Sequence, residues 1–397
     1  MTNSTDNKKW IVPFAAALVA MLCLQMSNLG FSPLLPDMQK EFNLSFSQIG
    51  LFTGIYGIIA IVLSIPTGLA IKRWGEKTVL LTGTSIVILG LTLLSQSSGF
   101  ESALVNRSIW ISGYRFAFIS ILTAVALTAP SYLKGRTMGI VGAVSSLASV
   151  IGAPLAANLA EHFGWRYGFV GYIVTDLISL VVVYFFYTRH SQGEVGSLHE
   201  VGDKSNTNVN AFKVPLVWGL GMVISMAGMS SLTITHFIPS AAKELFEMTK
   251  PQTAWIISMG YLLAIGVNLL AGYCSDKYNK WWTLITLVSI SIVGLYFLSS
   301  NDRAIFQASA IIVLASSFAC TNQAYGIAGE VIKGRETGNV MGVISFTTGI
   351  SAYLGPQMLG VLRDKTGGFD AGWYMIMAIV SIALCGIFFL KRYVKDK

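Results

Sequence analysis

The chain reads Lys-Gly-Arg-Thr-Met-Gly at residues 134–139, and it repeats Lys-Gly-Arg at 333–335 with Met-Gly at 341–342. Three further pairs of short segments recur in the same order and at a similar offset. They are Gly68–Lys77 with Gly272–Lys280, Gly152–Pro154 with Leu354–Pro356, and Gly164–Tyr167 with Gly372–Tyr374. The chain is therefore predicted to consist of two related halves.

Composition places both halves in a membrane. Hydrophobic residues make up 53% of the 397 residues and charged residues only 12%, whereas a soluble domain carries about 25% charged residues. The net charge is +8, but the basic residues lie in short segments between apolar runs, which is typical of membrane topology signals and not of nucleic-acid binding. Duplicated apolar halves are typical of secondary transporters, whose site lies between the halves.

Twelve runs are long enough to cross a bilayer as helices, which takes about 20 mainly apolar residues. They are 10–33, 48–71, 77–97, 103–131, 136–160, 166–188, 215–238, 253–273, 281–299, 304–331, 337–362 and 371–391. A polar stretch divides them six and six. We therefore predict an all-α membrane protein of twelve transmembrane helices in two pseudo-symmetric six-helix bundles, 1–187 and 215–397, joined by a cytoplasmic linker, 188–214.

Lysine and arginine predict the orientation. With the N-terminus inside, 18 of the 27 basic residues lie at the inner face and 8, including Arg107, at the outer face, while Arg115 lies within a helix. Because basic residues favour the cytoplasmic side, both termini are expected there. The short loops and tails favour a bacterial inner membrane, and we expect a monomer.

Two loops carry a recognisable pattern. Between the second and third predicted helices the matching residues are Gly68, Arg73, Gly75 and Lys77; between the eighth and ninth they are Gly272, Asp276, Lys277 and Lys280. With these loops the chain resembles the major facilitator superfamily over nearly its whole length. Lys72 stands where that family has an aspartate, and Asn279 where it has a glycine. We expect Asn279 to keep a tight, left-handed turn, which asparagine tolerates.

The resemblance implies that these loops form a conformational latch in which an acid contacts a neighbouring helix end. Glu330 lies close to Lys333 and Arg335, which predicts an ion pair at the inner gate. The predicted latch and gate residues are Gly68, Arg73, Gly75, Asp276, Lys277, Glu330 and Arg335. The family's antiport motif is only partly matched in the fifth helix, where Ala153 replaces a glycine before Pro154.

Arg115 is the strongest candidate for a functional residue. We place it about eight residues into the fourth helix, roughly 12 Å from its outer end at 1.5 Å per residue. A charge inside a membrane helix is costly and faces a partner or a watery cavity. A guanidinium there suits a carboxylate or phosphate, held through two parallel hydrogen bonds. The alternatives are a structural pair with an internal acid and snorkelling towards the surface.

Asp176 is the only acid deep inside an apolar run, and it is the candidate for carrying a coupling proton. The alternative is a hydrogen-bonded structural acid, which the resemblance favours because it makes the sixth helix peripheral. The resemblance also makes helices 1, 4, 7 and 10 line the cavity. The predicted substrate-binding residues are Arg115, Gln25, Asn28, Tyr56, Thr233, Asn322 and Tyr325; the alternative for such polar residues is bonding between neighbouring helices.

These observations predict a secondary transporter of a small organic anion, taken up with protons by alternating access. Proton-coupled efflux of amphipathic compounds is the first alternative, and a non-transporting membrane sensor is the second. An enzyme is not expected, because no catalytic groups cluster. No nucleotide motif is present and the four cysteines lack metal spacing, so neither a cofactor nor a metal is predicted. The expected partners are the anion, protons and the lipid bilayer.

Overall fold

A computed structural model describes residues 10–128, 134–188, 215–331 and 337–395 of the chain. Within those ranges the side chains of 134–139, 215–216, 276, 324–331, 337–342 and 393–395 are not described. Almost every described residue is helical, as expected for a chain that must satisfy its backbone hydrogen bonds within lipid.

The described residues form thirteen α-helices and one short 3₁₀ helix, Ser32–Leu34. The α-helices are α1 (Ile11–Gly30), α2 (Leu35–Phe42), α3 (Phe46–Trp74), α4 (Glu76–Ser95), α5 (Phe100–Thr128), α6 (Lys134–Phe163), α7 (Trp165–Phe186), α8 (Pro215–Phe246), α9 (Lys250–Lys277), α10 (Lys280–Phe297), α11 (Arg303–Val331), α12 (Thr337–Thr366) and α13 (Asp370–Lys395).

Twelve of these helices have 18 or more residues, and α2 is the short one. In the described residues, eleven of the twelve are also apolar enough to cross a membrane. The remaining one is α12, whose described part is rich in glycine, serine and threonine. The predicted all-α class with twelve long helices is confirmed.

The predicted end of the seventh span at residue 238 is too early. Helix α8 continues to Phe246 with Pro239 inside it. A proline removes one backbone hydrogen bond and bends a helix, but it does not have to end it. The additional turns carry Lys243 and Glu244 beyond the apolar run.

Contacts divide the chain into two compact units. The first comprises the described residues of Met1–Phe31 and Val62–Glu200, and the second those of Ser32–Ile61 and Val201–Lys397. The boundary at Ile61 falls inside α3, so this helix contributes to both units. The division of the sequence at the linker 188–214 stays a prediction, since 189–214 lie outside the described residues.

In the first unit, α4 and α5 pack closely along their length. Glycines make this approach possible: a Cβ added at Gly83 would lie 2.6 Å from the backbone nitrogen of Ala117. Trp110 of α5 is fully buried, and its ring meets Phe31 and Phe169 edge-on at 5.5 and 5.9 Å. This aromatic cluster joins α5 to α7 and to the end of α1.

In the second unit, α8 packs against α11, α12 and α13. Buried hydroxyls link three helices: Ser230 of α8 lies 2.7 Å from Ser317 of α11, which lies 3.1 Å from Ser291 of α10. Small side chains let the helices approach, and each hydroxyl finds a partner that lipid could not supply.

Candidate functional site

Arg115 lies near the middle of α5. It is fifteen residues after Phe100, where the helix begins, or about 22 Å along the axis. The expected position about eight residues into the helix was therefore wrong: even from residue 103, where the apolar run begins, Arg115 is twelve positions along. Arg115 is half-buried and donates a hydrogen bond of 3.0 Å from Nη2 to the hydroxyl of Ser64. It is a cation in the central part of a membrane-spanning helix.

Gln25 and Asn28 share a face of α1 and are both buried. The amide of Gln25 donates to the hydroxyl of Ser145 on α6 at 3.2 Å and accepts from the hydroxyl of Tyr114 on α5 at 2.6 Å. These bonds connect three helices of the first unit. Gln25 therefore has a structural task, and its role in substrate binding stays a prediction, as does that of Asn28.

We expect Gln25→Leu to lower the free energy of unfolding by about 1–3 kcal/mol, because it removes the acceptor of a buried hydroxyl. Thermal unfolding in detergent would measure this. Adding Tyr114→Phe removes the other partner, so the double variant should recover part of the loss. Losses that simply add would contradict a direct bond between the two side chains.

The predicted substrate residues of the second unit lie in different environments. Thr233 of α8 is fully buried, and its hydroxyl donates to the carbonyl of Met229 at 2.8 Å. Asn322 of α11 is exposed and donates to the amide oxygen of Asn268 on α9 at 2.9 Å. Tyr56 of α3 is half-buried, and the side chain of Tyr325 lies outside the described residues. The hydrogen bonds of Thr233 and Asn322 thus place these two residues in separate helical contacts.

Asp176 of α7 is fully buried in the first unit. Ser27 of α1 lies beside its carboxyl group, and the Ser27 hydroxyl donates to the carbonyl of Leu24 at 3.0 Å. The acid thus faces α1 and not lipid. Intramembrane acids are costly and are functional candidates for that reason, so a proton-carrying role for Asp176 stays a prediction.

The first patterned loop docks on the end of α7. Gly75 has a positive φ of 84°, which suits glycine, and it precedes the start of α4. Lys77 donates to the carbonyls of Tyr184 and Tyr187 at 2.9 and 2.5 Å, and the Tyr187 hydroxyl donates to the carboxylate of Glu76 at 3.2 Å. Lysine at a helix C-terminus satisfies free carbonyls and favours the helix dipole.

Glu76 was missed by sequence reasoning, although it lies between the motif residues Gly75 and Lys77. It is fully buried. The sequence signal that could have identified it is its position directly after the motif glycine Gly75, which has a positive φ and precedes α4. Of the other predicted latch residues, Gly68 has no neighbouring atoms within 4 Å of an added Cβ. Arg73 is exposed, with its guanidinium 5.7 Å from the Trp74 ring.

In the second patterned loop, Asn279 does not adopt the expected left-handed conformation. Asn279 has an extended φ of −164°, and its side chain accepts a hydrogen bond from the backbone of Trp281 at 2.9 Å. The expected left-handed turn was wrong, because asparagine caps α10 instead. Lys277 donates to the hydroxyl of Tyr273 at 3.1 Å. The side chains of Asp276 and Glu330, and all of Arg335, lie outside the described residues.

Arg107 was counted among the outer-face residues, yet only 1% of it is exposed. Its guanidinium lies 3.9 Å from the centre of the Trp110 ring and 4.2 Å from that of Phe31. Two aromatic faces offset part of the cost of burying the charge. Trp110 three residues later, on the same helical face, is the sequence signal for this arrangement.

A family comparison identifies the chain. The family model of the Major Facilitator Superfamily matches residues 17–356, with a second match over 220–397. The chain belongs to the major facilitator superfamily. It is accordingly a multi-pass membrane protein, in agreement with its long apolar helices.

Two relatives match this superfamily member over nearly its whole length. A protein of Agrobacterium vitis that is named for tartrate transport is 21% identical over 410 residues, covering 96% of this chain and 93% of that protein. SauU of Cupriavidus necator, named for sulfoacetate transport, is 22% identical over 398 residues, covering 94% and 93%.

A solved structure confirms the superfamily fold. A bacterial homologue of the human lysosomal transporter Spinster matches with a TM-score of 0.78 at 14% sequence identity, covering 95% of this chain and 96% of that one. At this identity the match shows the fold alone, so the substrate has to be inferred from the residues of this superfamily member.

Proposed function

We propose that this protein is a secondary transporter that moves a small organic anion across the membrane by alternating access, coupled to protons. Membership in the superfamily supports the transport class. Particular side chains support the anionic substrate and the coupling to protons.

Arg115 carries the proposal. It places a guanidinium midway along α5, half-buried, with a neutral hydroxyl as the acceptor of its hydrogen bond to Ser64. A permanent cation at this depth favours an anionic ligand, and the planar fork of arginine matches the two oxygens of a carboxylate. The substrate class that fits this group best is a small carboxylate.

The relatives support the same class. Tartrate and sulfoacetate, for which two of them are named, are both small organic anions that carry at least one carboxylate. A single arginine can hold one carboxylate of either molecule. We therefore assign this chain an oxygen-rich small anion.

The energy source in this proposal is a proton gradient, with Asp176 as the candidate carrier. Tartrate and sulfoacetate are dianions at neutral pH, so two protons taken up with one of them would bring the net charge that crosses the membrane to zero. The proposed location is the inner membrane. Both termini lie in the cytoplasm in this proposal, because basic residues are in excess at the face that carries them.

Uptake into proteoliposomes tests the proposal. Purified protein should take up labelled tartrate or sulfoacetate with saturable kinetics, faster when the lumen is more alkaline than the outside, and a protonophore should lower that rate. A neutral polyol of similar size serves as the control and should not accumulate. Transport of amphipathic cations in exchange for protons, with no anion uptake, would instead support the efflux alternative.

A further inference from the structure

The segment Ser32–Ile61 belongs to the first half of the sequence but packs with the second unit. We propose that three contacts hold this segment on α8, α9 and α12 as a releasable outer clasp. They are Asp37 with Lys250 and Lys243, Asp364 with the start of α3, and the Phe46 ring with the Arg363 guanidinium, which itself pairs with Glu244. This inference rests on the proposed alternating access, because it names the contacts that must break when the outer side opens.

In the second contact, a carboxylate from α12 caps α3. Ser45 and Gln48 form a reciprocal capping box, with bonds of 2.9 and 3.2 Å between each backbone N–H and the other side chain. The backbone N–H groups of Phe46 and Ser47 each donate to one oxygen of Asp364 at 2.8 Å. Asp364 therefore completes the set of four helix-start donors and adds negative charge at the positive end of the helix dipole.

The carboxylate of Asp364 stays ionised in this arrangement. Partial burial raises its pKa, but hydrogen bonds from Ser47, Phe46 and Ser45 outweigh burial and hold the pKa below its ordinary value. A depressed pKa means that the link is present at neutral pH and is lost only as the pH falls through the lowered pKa. The bonds of Asp364 to the start of α3 are thus present at neutral pH.

Three ion pairs flank the cap. Lys250 at the start of α9 lies 2.8 Å from Asp37 of α2, and Lys243 of α8 lies 3.7 Å from the same carboxylate. Arg363 pairs with Glu244 of α8. The Arg363 guanidinium also lies 4.7 Å from the centre of the Phe46 ring, so the same side chain contacts both α8 and the start of α3.

Beneath the clasp the helices touch through their backbones. A Cβ at Gly50 would lie 2.5 Å from the carbonyl oxygen of Pro356 on α12, and a Cβ at Gly57 would collide with the backbone of Gly349. Contacts this close exclude water and lipid between α3 and α12. Small residues allow the approach.

Individual polar contacts of the clasp are weak enough to be broken during transport. Glu244 is 42% exposed and Lys243 46% exposed, and exposed ion pairs contribute little individually. Bonds to an exposed carboxylate are likewise exchanged readily for water. Chain continuity at Phe31 and Ile61 connects the segment to the first unit, so release of the clasp frees the segment from the second unit without breaking any helix.

Cysteine accessibility tests the clasp. Thr53 is 2% exposed and lies on the same face of α3 as Gly50 and Gly57. A Thr53→Cys reporter, in a protein whose four native cysteines are replaced, should react slowly with a membrane-impermeant maleimide. Asp364→Asn should speed labelling about tenfold, the effect expected for losing one charge-assisted bond.

Asp370→Asn is the matched control, because it removes the same charge from an exposed position six residues further on and should leave the labelling rate unchanged. Lys250→Gln breaks a different link and should also accelerate labelling. If neither Asp364→Asn nor Lys250→Gln changes the rate in protein that elutes as a single species, the clasp is wrong. Labelling requires no transported solute, so its outcome is separate from that of the uptake assay.

A cross-link gives a second, independent readout. Cysteines at Ser47 and Asp364 replace the cap by a covalent bond when oxidised. Oxidation should stop anion uptake, and a reducing agent should restore it. Full transport by the verified cross-linked protein would overturn the requirement that this contact opens.

Discussion

Replacing Arg115 by alanine is expected to lower the catalytic efficiency of anion uptake about 100-fold. The substitution removes the cation that the proposal assigns to a substrate carboxylate, and a loss of about 100-fold corresponds to about 2.7 kcal/mol, within the range for charge-assisted hydrogen bonds. Initial uptake rates over a range of anion concentrations would measure the effect. If Arg115 binds the anion equally well throughout the transport cycle, the lower efficiency should appear mainly as a higher KM, with the maximal rate little changed.

Two variants control this experiment. Arg115→Lys keeps the charge but loses the planar fork, so its defect should be intermediate. Arg303→Ala removes an exposed arginine at the start of α11. This variant should take up the anion with the same KM and maximal rate as the wild-type protein. If Arg115→Ala takes up the anion with unchanged KM and maximal rate, Arg115 does not bind the substrate.

Gly90→Ala is expected to be the most destabilising single-methyl substitution in the first unit among the described residues. An added Cβ would lie 2.5 Å from the Cα of Trp110 and would also collide with its backbone nitrogen. Backbone cannot move aside as a flexible side chain can, so α4 and α5 must separate, at a cost of about 1–3 kcal/mol or more. Thermal unfolding in detergent should show a clearly lower midpoint.

Gly266→Ala is the comparison variant, because the added methyl group is not expected to destabilise the protein. Gly266 lies inside α9 with no neighbouring atoms within 4 Å of an added Cβ. Alanine is favoured over glycine in a helix by about 1 kcal/mol, so this variant should be unchanged or slightly more stable. An equal loss in both variants would show that close packing at Gly90 is not the cause.

The fold could be predicted from the sequence because its signals are local or repeated. Each span is one apolar run, and the repeat of Lys-Gly-Arg at 134–136 and 333–335 predicts duplicated halves. Errors arose where the apolar run and the helix differ. Helix α8 passes through Pro239 and continues to Phe246, beyond the end of its apolar run.

The polar contacts could be predicted only in part, since they depend on which side chains meet. Asp364 and Phe46 are 318 positions apart, and no local pattern joins them. The capping box of Ser45 and Gln48 is readable as a helix start, but the carboxylate that completes it is not. Arg107 likewise reads as a loop cation until the Phe31 and Trp110 rings are found on either side of it.

Gln25 shows why type and position alone do not define a binding residue. A glutamine within an apolar helix satisfies its amide by binding a ligand or by bonding neighbouring helices. Its contacts with Ser145 and Tyr114 provide the second solution, and the sequence carries no signal that distinguishes the two.

Counterflow of a labelled anion tests the central claim most directly. Proteoliposomes loaded with a high concentration of unlabelled anion are diluted into a trace of the labelled anion, without any proton gradient. A carrier whose site faces one side at a time predicts transient accumulation of label above its outside concentration, driven by exchange. Label that only equilibrates, at a rate independent of the internal anion, would contradict transport of the anion by alternating access.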